Sequence, residues 1–467
     1  MARKRLGMER LETRQLLAAQ PAVDLQAPSQ VFLGEHFRVV ATFDNVDATD
    51  VGYGPFVDLY VPVNGADGLG GVDADGMSLV GDAAYLGSPV VTTILTFPDD
   101  GGGTGAVTHP YAVDASGAPL TVSGVAGDQL IVAQLPFGSF TAAQPPAEVT
   151  FDLTMSELAD LQQPLTMHAR AGFQYGNTSL NDPAVDPSLV SDGPADATSW
   201  SAAASVEPAL LSLSKNYLGP EDETATGPNF PRQYEIVVDV AEGQEISDLD
   251  ITDVLPANVV LESVDAISTG GATTVFPTTP ANPPDNRLVA NIPNVIGGPG
   301  SRDATLLFTF HVPFRDAAGG EAVDSISGDD AVSPNQAAAV GNWIPTDPRD
   351  SGGVDNAAAD ATGPEHVLSP KSIAVQKSRT LVDDPDGNGF SPGDTVEFTI
   401  DFQVSDFFGF DNVVIDDVVS DGHRFDASFA PILSATEHGV LNSAPFDPAN
   451  YSVVDHFTGG SPATVPI

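Results

Sequence analysis

The acids of Asp384-Pro385-Asp386-Gly387-Asn388-Gly389, with Asp394 five residues on, have the clearest chemical potential in this chain. Oxygen ligands at alternate positions of a glycine-bearing loop can wrap a hard cation, since Ca²⁺ takes roughly six to eight oxygens. The spacing is not that of an EF-hand. Counted from Asp384, loop position 12 is Thr395, and Asp394 comes one residue too early. The flanking segments also read as strands, not helices. Two outcomes are therefore open: a β-flanked calcium loop built on Asp384, Asp386, Asn388 and Asp394, or a solvated turn. Asp67, Asp73 and Asp75 form a weaker version of the same pattern.

A second chemistry centres on lysine, of which there are four: Lys4, Lys215, Lys371 and Lys377. Lys215 and Lys377 fall at equivalent strand positions. In some surface sandwiches such a lysine forms an intramolecular isopeptide bond with a late-strand Asn, assisted by a buried acid. Burial favours the neutral amine and the neutral acid, the forms that amide formation needs. Around Lys215 the acid is Asp253 or Asp250, and the acceptor is Asn335 or Asn342. The competing expectation is an exposed strand-end lysine paired to an acid.

Catalysis finds little support. His36, His109, His168, His311, His366, His423, His438 and His456 show no pairing at metal-ligand spacing. There is no G-x-S-x-G, phosphate-binding glycine loop or H-E-x-x-H. A glycosidase needs two carboxylates that can be far apart in sequence, so 64 acids always supply candidates. With 2 Trp and 8 Tyr, however, little aromatic surface is left to stack sugars. The absence of cysteine removes disulfides, thiolate metal sites and thiol nucleophiles.

The elements that must position these residues read as β-strands. Val396, Phe398, Ile400 and Phe402 alternate with Thr395, Glu397, Thr399 and Asp401, the period of two of a half-buried strand. The pattern occurs twice. Lys215 and Lys377, Glu235 and Glu397, and Asp239 and Asp401 each stand 162 positions apart, and Asp253 and Asp417 stand 164 apart. A constant offset over unrelated residue types marks a tandem array. A looser copy lies near the start, where Gly34-Glu35 precedes Phe37, Val39, Ala41 and Phe43 as Gly393-Asp394 precedes Val396 onward. Module ends echo as well: Asp196-Ala197-Thr198 recurs as Asp360-Ala361-Thr362.

The expected organisation is a 1–20 export-type segment, then a divergent module at 21–207 with a long insertion. A second module follows at 208–370, and a third, incomplete one at 371–467. The third stops 90 residues after its lysine, so further domains are expected beyond residue 467. Residues 156–165 are the best candidate for a helix, of about two turns. The 45 glycines and 39 prolines fit many short strands joined by turns.

Two resemblances sharpen this picture. Leu11, Glu12, Arg14, Leu16 and Leu17 resemble the LEPR-XLL motif of large planctomycete surface proteins, with Thr13 where that family has proline. This resemblance implies export and a surface location. A strand ending in Lys, then G-D-x-V-x-F-x-I, then I-x-D-x-L-P resembles the bacterial surface "conserved repeat" family, tandem β-sandwich domains of unknown function. The matching pieces are Lys377, 391–400 and 413–418, and Lys215, 234–240 and 249–256. Pro231-Arg232 replaces G-D in module two, Val419-Ser420 replaces L-P in module three, and Asp24 stands at the lysine position of module one. The implied fold is all-β, tandem immunoglobulin-like sandwiches; no activity is implied.

The net charge of −47 excludes nucleic acid as a natural partner and disfavours anionic lipid. Protons, Ca²⁺, basic proteins and cationic polymers are left. No apolar run is long enough to span a membrane. The expectation is a non-catalytic structural or adhesive component of the cell surface or matrix, facing a surface protein or glycan. A calcium-dependent glycan- or protein-binding module comes second, and an enzyme third.

Overall fold

Alternating apolar and polar residues, punctuated by glycine and proline, give a chain of strands. In the computed structural model, the fold is all-β, with sheets that are antiparallel apart from the parallel pairing of Gln30–Phe32 with Ala202–Ala209, packed as tandem sandwiches of immunoglobulin-like kind. The description covers residues 19–465 except 48, 67–73, 162, 177–186, 194, 220–224, 257, 270–275, 278–286, 301, 317, 324–335, 344–356, 363–370, 411–413, 418–422, 427, 430, 438–439, 446–452 and 456–462. The motif at Leu11–Leu17 therefore lies outside the described residues, as do Asp67, Asp73 and Asn335. Among the described residues one helical turn occurs, a 3₁₀ turn at Ala197–Ser199 capped by Asp196.

The helix expected at 156–165 is not formed. Ser156 closes a turn, its carbonyl accepting from Ala159 N and its hydroxyl from Leu158 N, and Leu165 opens a strand. Two turns are too short to nucleate alone, and Pro164 removes a donor from the second.

Module one has two main sheets. The first runs in the order Pro21–Gln26, His36–Asn45, Ala147–Met155, Ala84–Tyr85 and Ser88–Pro89. The second runs Gln30–Phe32, Ala202–Ala209, Leu165–Phe173, Pro55–Val61, Gln129–Gln134 and Val91–Thr96. The long insertion of this module supplies the hairpin Thr104–Val113/Pro119–Val125, which covers the outer face of the second sheet. This third layer explains why strand Pro55–Val61 is buried at every position. Val57, Leu59 and Val61 point into the main core, while Phe56 and Tyr60 join Phe97, Val122, Leu130 and Trp200 beneath the hairpin.

Module two is more regular. Leu211–Tyr217, Arg232–Val240, Ala304–His311 and Val260–Thr269 form one sheet. Phe276–Pro277, Arg287–Ile296, Glu245–Val254, Ala337–Trp343 and Ala357–Ala361 form the other. The first two strands share a sheet while the third pairs with the late ones, as in an immunoglobulin-like sandwich. Leu210 alone separates the last strand of module one's sheet from the first of module two's. Its carbonyl accepts from Ala241 N, and Ala209 O accepts from Leu33 N. One continuous apolar core runs through both modules, including Leu33, Leu210, Leu211 and Ala241 at the junction.

Module three begins with the hairpin Ile373–Asp383/Thr395–Val404. The expected alternation holds: Val396, Phe398, Ile400 and Phe402 are half-buried, and the residues between them are exposed. The segment after the hairpin docks on module two. Ser405 Oγ donates to Thr226 O at 2.6 Å, and Phe407 joins the shared core.

Residues 409–467 form a separate unit, in which Ile432–Glu437 pairs with Val440–Pro445 and Val453–Asp455 with Ala463–Val465.

Register refines the repeat. Lys215 lies opposite Ile236, and Lys377 lies opposite Ile400. With the lysines superposed, the second strand of module three is therefore displaced by two residues from the constant spacing. Tyr234 corresponds to Phe398, not to the Val396 that the 162-residue offset gives. A shift of two leaves every side chain on its original face, so both copies keep their pattern.

Candidate functional site

A lysine in a strand position that otherwise takes apolar residues is the first chemical anomaly. Leu211, Leu213 and Lys215 alternate inward along the first strand of module two. Lys215 Nζ donates to Asp253 Oδ2 at 2.6 Å, and both side chains are almost fully buried. The ammonium also lies 4.2 Å from the Tyr234 ring centroid and 5.6 Å from that of Phe308. Because Lys215 belongs to one sheet and Asp253 to the other, the pair braces the sandwich across its core.

A bulge puts Asp253 there. Asp248 adopts a positive φ of 49°, and the pairing register shifts between Ser247 and Asp250. One extra residue in a strand changes which positions face inward. Ile246 is buried before the bulge, and Leu249, Ile251 and Asp253 after it. The structure thus separates the two candidate acids: Asp253 is in the core, while Asp250 is exposed and accepts from Asn291 Nδ2 at 2.8 Å. Of the acceptor candidates, Asn342 is exposed on the outer face of its strand, so it is not placed beside Lys215. Lys377 repeats the aromatic contact, 4.4 Å from the Phe398 centroid, but is itself exposed.

The acidic loop brings its three carboxylates together. Asp384, Asp386 and Asp394 each offer an oxygen within 4.8 Å of the others. The same oxygens also hold the turn. Asp384 accepts from Gly387 N and Gly389 N, Asp386 from Asn388 N and Ser391 Oγ, and Asp394 from Ser391 N at 2.5 Å. The backbone bond from Asn388, then the Ser391 hydroxyl, hold the Asp386 carboxyl below its ordinary value. Glu35 of module one closes its turn in the way Asp394 does, accepting from the amide three residues back, Phe32 N, at 3.3 Å. The residue before each acid, Gly34 or Gly393, has positive φ, which glycine alone adopts without strain. Asn388 contributes its backbone amide to this network. Of the weaker loop, Asp75 is buried; Asp128 nearby is raised first by its own burial and to a lesser degree by the Asp75 charge.

A third cluster was not among the candidates read from the sequence. Asp58 faces away from the main core, beneath the hairpin of module one. It accepts from Arg170 Nε at 2.9 Å and Nη2 at 2.6 Å, and lies 2.8 Å from His109 Nε2. His109 Nδ1 accepts from Tyr111 N and Ala112 N, which fixes the tautomer with the proton on Nε2, donating to Asp58. Burial alone would raise Asp58, but His109 and Arg170 outweigh it and hold the carboxyl below its ordinary value. Arg170 also lies 4.4 Å over the Trp200 ring. Beside it, the Tyr60 hydroxyl donates to Asp128, whose other oxygen accepts from Asn64 N. The signal available in the sequence was a charge at the centre of the apolar run PFVDLYV.

The module junction carries one perturbed acid. Burial, then the charges of Asp303 and Glu35, push Asp239 up to about 6. A carboxyl whose folded value lies above its unfolded one adds stability as pH falls through the folded value. The melting temperature is therefore expected to rise between pH 7 and pH 5. In Asp239→Asn this pH-dependent increment should shrink and the pH 7 value should increase. Thermal melts of both proteins across that range give the comparison, and parallel curves would reject the assignment to Asp239.

No family model matches the sequence, and no curated protein does. Among solved structures, the chain is similar to the full-length major pilin SpaD of Corynebacterium diphtheriae. The identity is 11% and the TM-score 0.24, with 72% of this chain and 65% of that pilin covered. It is also similar to BcpA, the major pilin subunit of Bacillus cereus, at 13% identity and a TM-score of 0.24, over 71% and 81% of the two chains. A cohesin module from a Clostridium perfringens family 33 glycoside hydrolase aligns at 8% identity and a TM-score of 0.20, over 41% of this chain and 97% of the module. Scores this low carry no functional weight.

Proposed function

We propose that the chain is a non-catalytic structural component of a cell surface or extracellular matrix, built as a stiff tandem of β-sandwiches. The observation that carries this reading is the continuous core that joins modules one and two and takes in Phe407 at the start of module three. Independent modules on flexible linkers would be separated by polar connections; these share buried leucines. The buried Lys215–Asp253 pair links the two sheets of module two, and the buried Asp58–Arg170 pair ties neighbouring strands of module one beneath its hairpin. The N-terminal resemblance and the excess of acids support export to a water-exposed surface. The test is protease shaving of intact source cells with a Glu-specific enzyme, followed by mass spectrometry. Release of peptides from this chain, with a cytoplasmic marker left intact, is expected; protection until lysis overturns the reading.

A calcium-dependent form of the same role is favoured by the convergence of Asp384, Asp386 and Asp394. These residues, with Asn388, would hold Ca²⁺ by exchanging some amide bonds of the turn for metal contacts. A ligand that binds only the folded state stabilises by about 2.7 kcal/mol at a hundredfold excess over its Kd. Extracellular calcium modules work at roughly 10⁻⁴–10⁻³ M, so millimolar Ca²⁺ is expected to raise the melting temperature, and Mg²⁺ to raise it less. Asp386→Ala should abolish the difference. An equal response of mutant and wild type identifies general charge screening and removes the site.

A further inference from the structure

Edges of sheets are where unsatisfied backbone groups meet solvent, and proteins blunt them with charge, proline, bulges or short length. Two outer strands here are blunted. Val260–Thr269 carries two register shifts, and Ser88–Pro89 is two residues long and ends in proline. Val91–Thr96 is not. Its sequence, VTTILT, has no charge and no proline, and it pairs with Gln129–Gln134 through six consecutive residues without a bulge. Among the described residues no strand covers its other side. Val91 is 62% exposed.

A groove of about 400 Å³ opens beside the Val91 end of this strand, lined by Tyr85, Leu86, Val90, Val91, Leu135 and Pro136. Leu86 forms its lip. It is 83% exposed and has a φ of 49°, in a tight turn with Gly87 at 74°. A bulky residue in the left-handed region costs about 1–3 kcal/mol, and such strain concentrates at functional sites. Here the turn holds a large apolar side chain out in water next to an edge that carries no strand among the described residues and is tied at its Val91 end to Ala83, whose carbonyl accepts from Val90 N and whose amide donates to Thr92 Oγ1.

We infer that Val91–Thr96 and its groove accept an extended strand from another protein, one with an apolar anchor side chain and basic flanks. In strand addition, main-chain bonds give affinity and a side-chain pocket gives selectivity. The charge argues for a basic partner and against a second copy of this chain. Asp82, Asp99 and Asp100 are exposed in the segments on either side of the strand, and two chains of net charge −47 repel. The inference rests on the geometry of module one and not on the surface reading.

The test is titration of the full chain with synthetic ten-residue peptides of alternating Thr and Val. Each has Lys at both ends and one variable anchor, Leu, Phe, Ala or Glu. Leu and Phe peptides are expected to bind at least about tenfold more tightly than Ala or Glu peptides, and to slow amide exchange at Val91–Thr96. N-methylation of alternate peptide nitrogens on the pairing edge should abolish binding. Leu86→Asp, an exposed change that leaves Trp200 fluorescence and circular dichroism unaltered, should weaken it about tenfold. The inference is overturned if no peptide binds at about 1 mM, or if N-methylation has no effect. It is also overturned if the chain alone forms a dimer that Leu86→Asp dissolves, which would make the occupant a second copy.

Discussion

Asp253→Ala is expected to lower the stability of module two by about 3–5 kcal/mol, and Lys215→Ala by a similar amount, because each leaves a charge buried without its ionic partner. The double replacement Lys215→Met with Asp253→Leu should recover most of that loss or exceed the wild type. It removes both desolvation penalties and keeps the volume apolar. Module two has its own reporter. Trp343 is buried, with Nε1 donating to Gln244 Oε1 at 3.0 Å, and the chain's other tryptophan is Trp200 in module one. Urea titrations in a Trp200→Phe background thus read the transition from within module two, and midpoints are comparable if the slope is unchanged. A single-mutant loss below about 1 kcal/mol would mean that the pair is hydrated in solution. Intact mass then separates an ion pair from an amide. Condensation of Lys215 with Asn335 removes one ammonia, and condensation with an aspartate removes one water. An unchanged mass leaves the ion pair alone as the brace.

The sequence made the strands legible because burial on one face leaves a period of two, as at Val396–Phe402. The repeat was legible because lysines are few, so Lys215 and Lys377 stood out. Their strand partners were assigned two residues out of register. A constant sequence offset cannot register a turn that grows by two residues, and a shift of two leaves no trace in the alternation. The acid of the brace stayed open between Asp250 and Asp253 for a related reason. Parity from Ile246 points 250 and 252 inward, and only the bulge at Asp248 reverses it. The Asp58 cluster was missed because Asp58 and Arg170 meet as a cross-strand pair of distant segments, and the hairpin insertion brings His109 to them.

That cluster gives the other large effect. Asp58→Ala is expected to cost module one about 3–5 kcal/mol, since Arg170 would remain buried without its carboxylate. Asp58→Asn should cost less, because an amide oxygen still accepts from Arg170 or His109, though without charge. Loosening should be directional. Phe56, Tyr60, Leu130 and Val132 meet the hairpin residues Ala112 and Val122 on the side of the sheet where Asp58 lies. The main core is on the other. Amide exchange should therefore quicken first in Thr104–Val113 and Pro119–Val125, before Pro21–Gln26 or His36–Asn45. Trp200, stacked under Arg170, reports the same opening by fluorescence in a Trp343→Phe background. Acid should reproduce the mutation. Because Asp58 is held below its ordinary value, its contribution is complete above the unfolded carboxyl range and is lost as pH falls through the lower folded value. This runs opposite to Asp239 of module two, so the two joined modules together should pass through a stability maximum in mildly acidic solution. Uniform exchange across both layers in Asp58→Ala would show instead that the hairpin and the sandwich open as one unit.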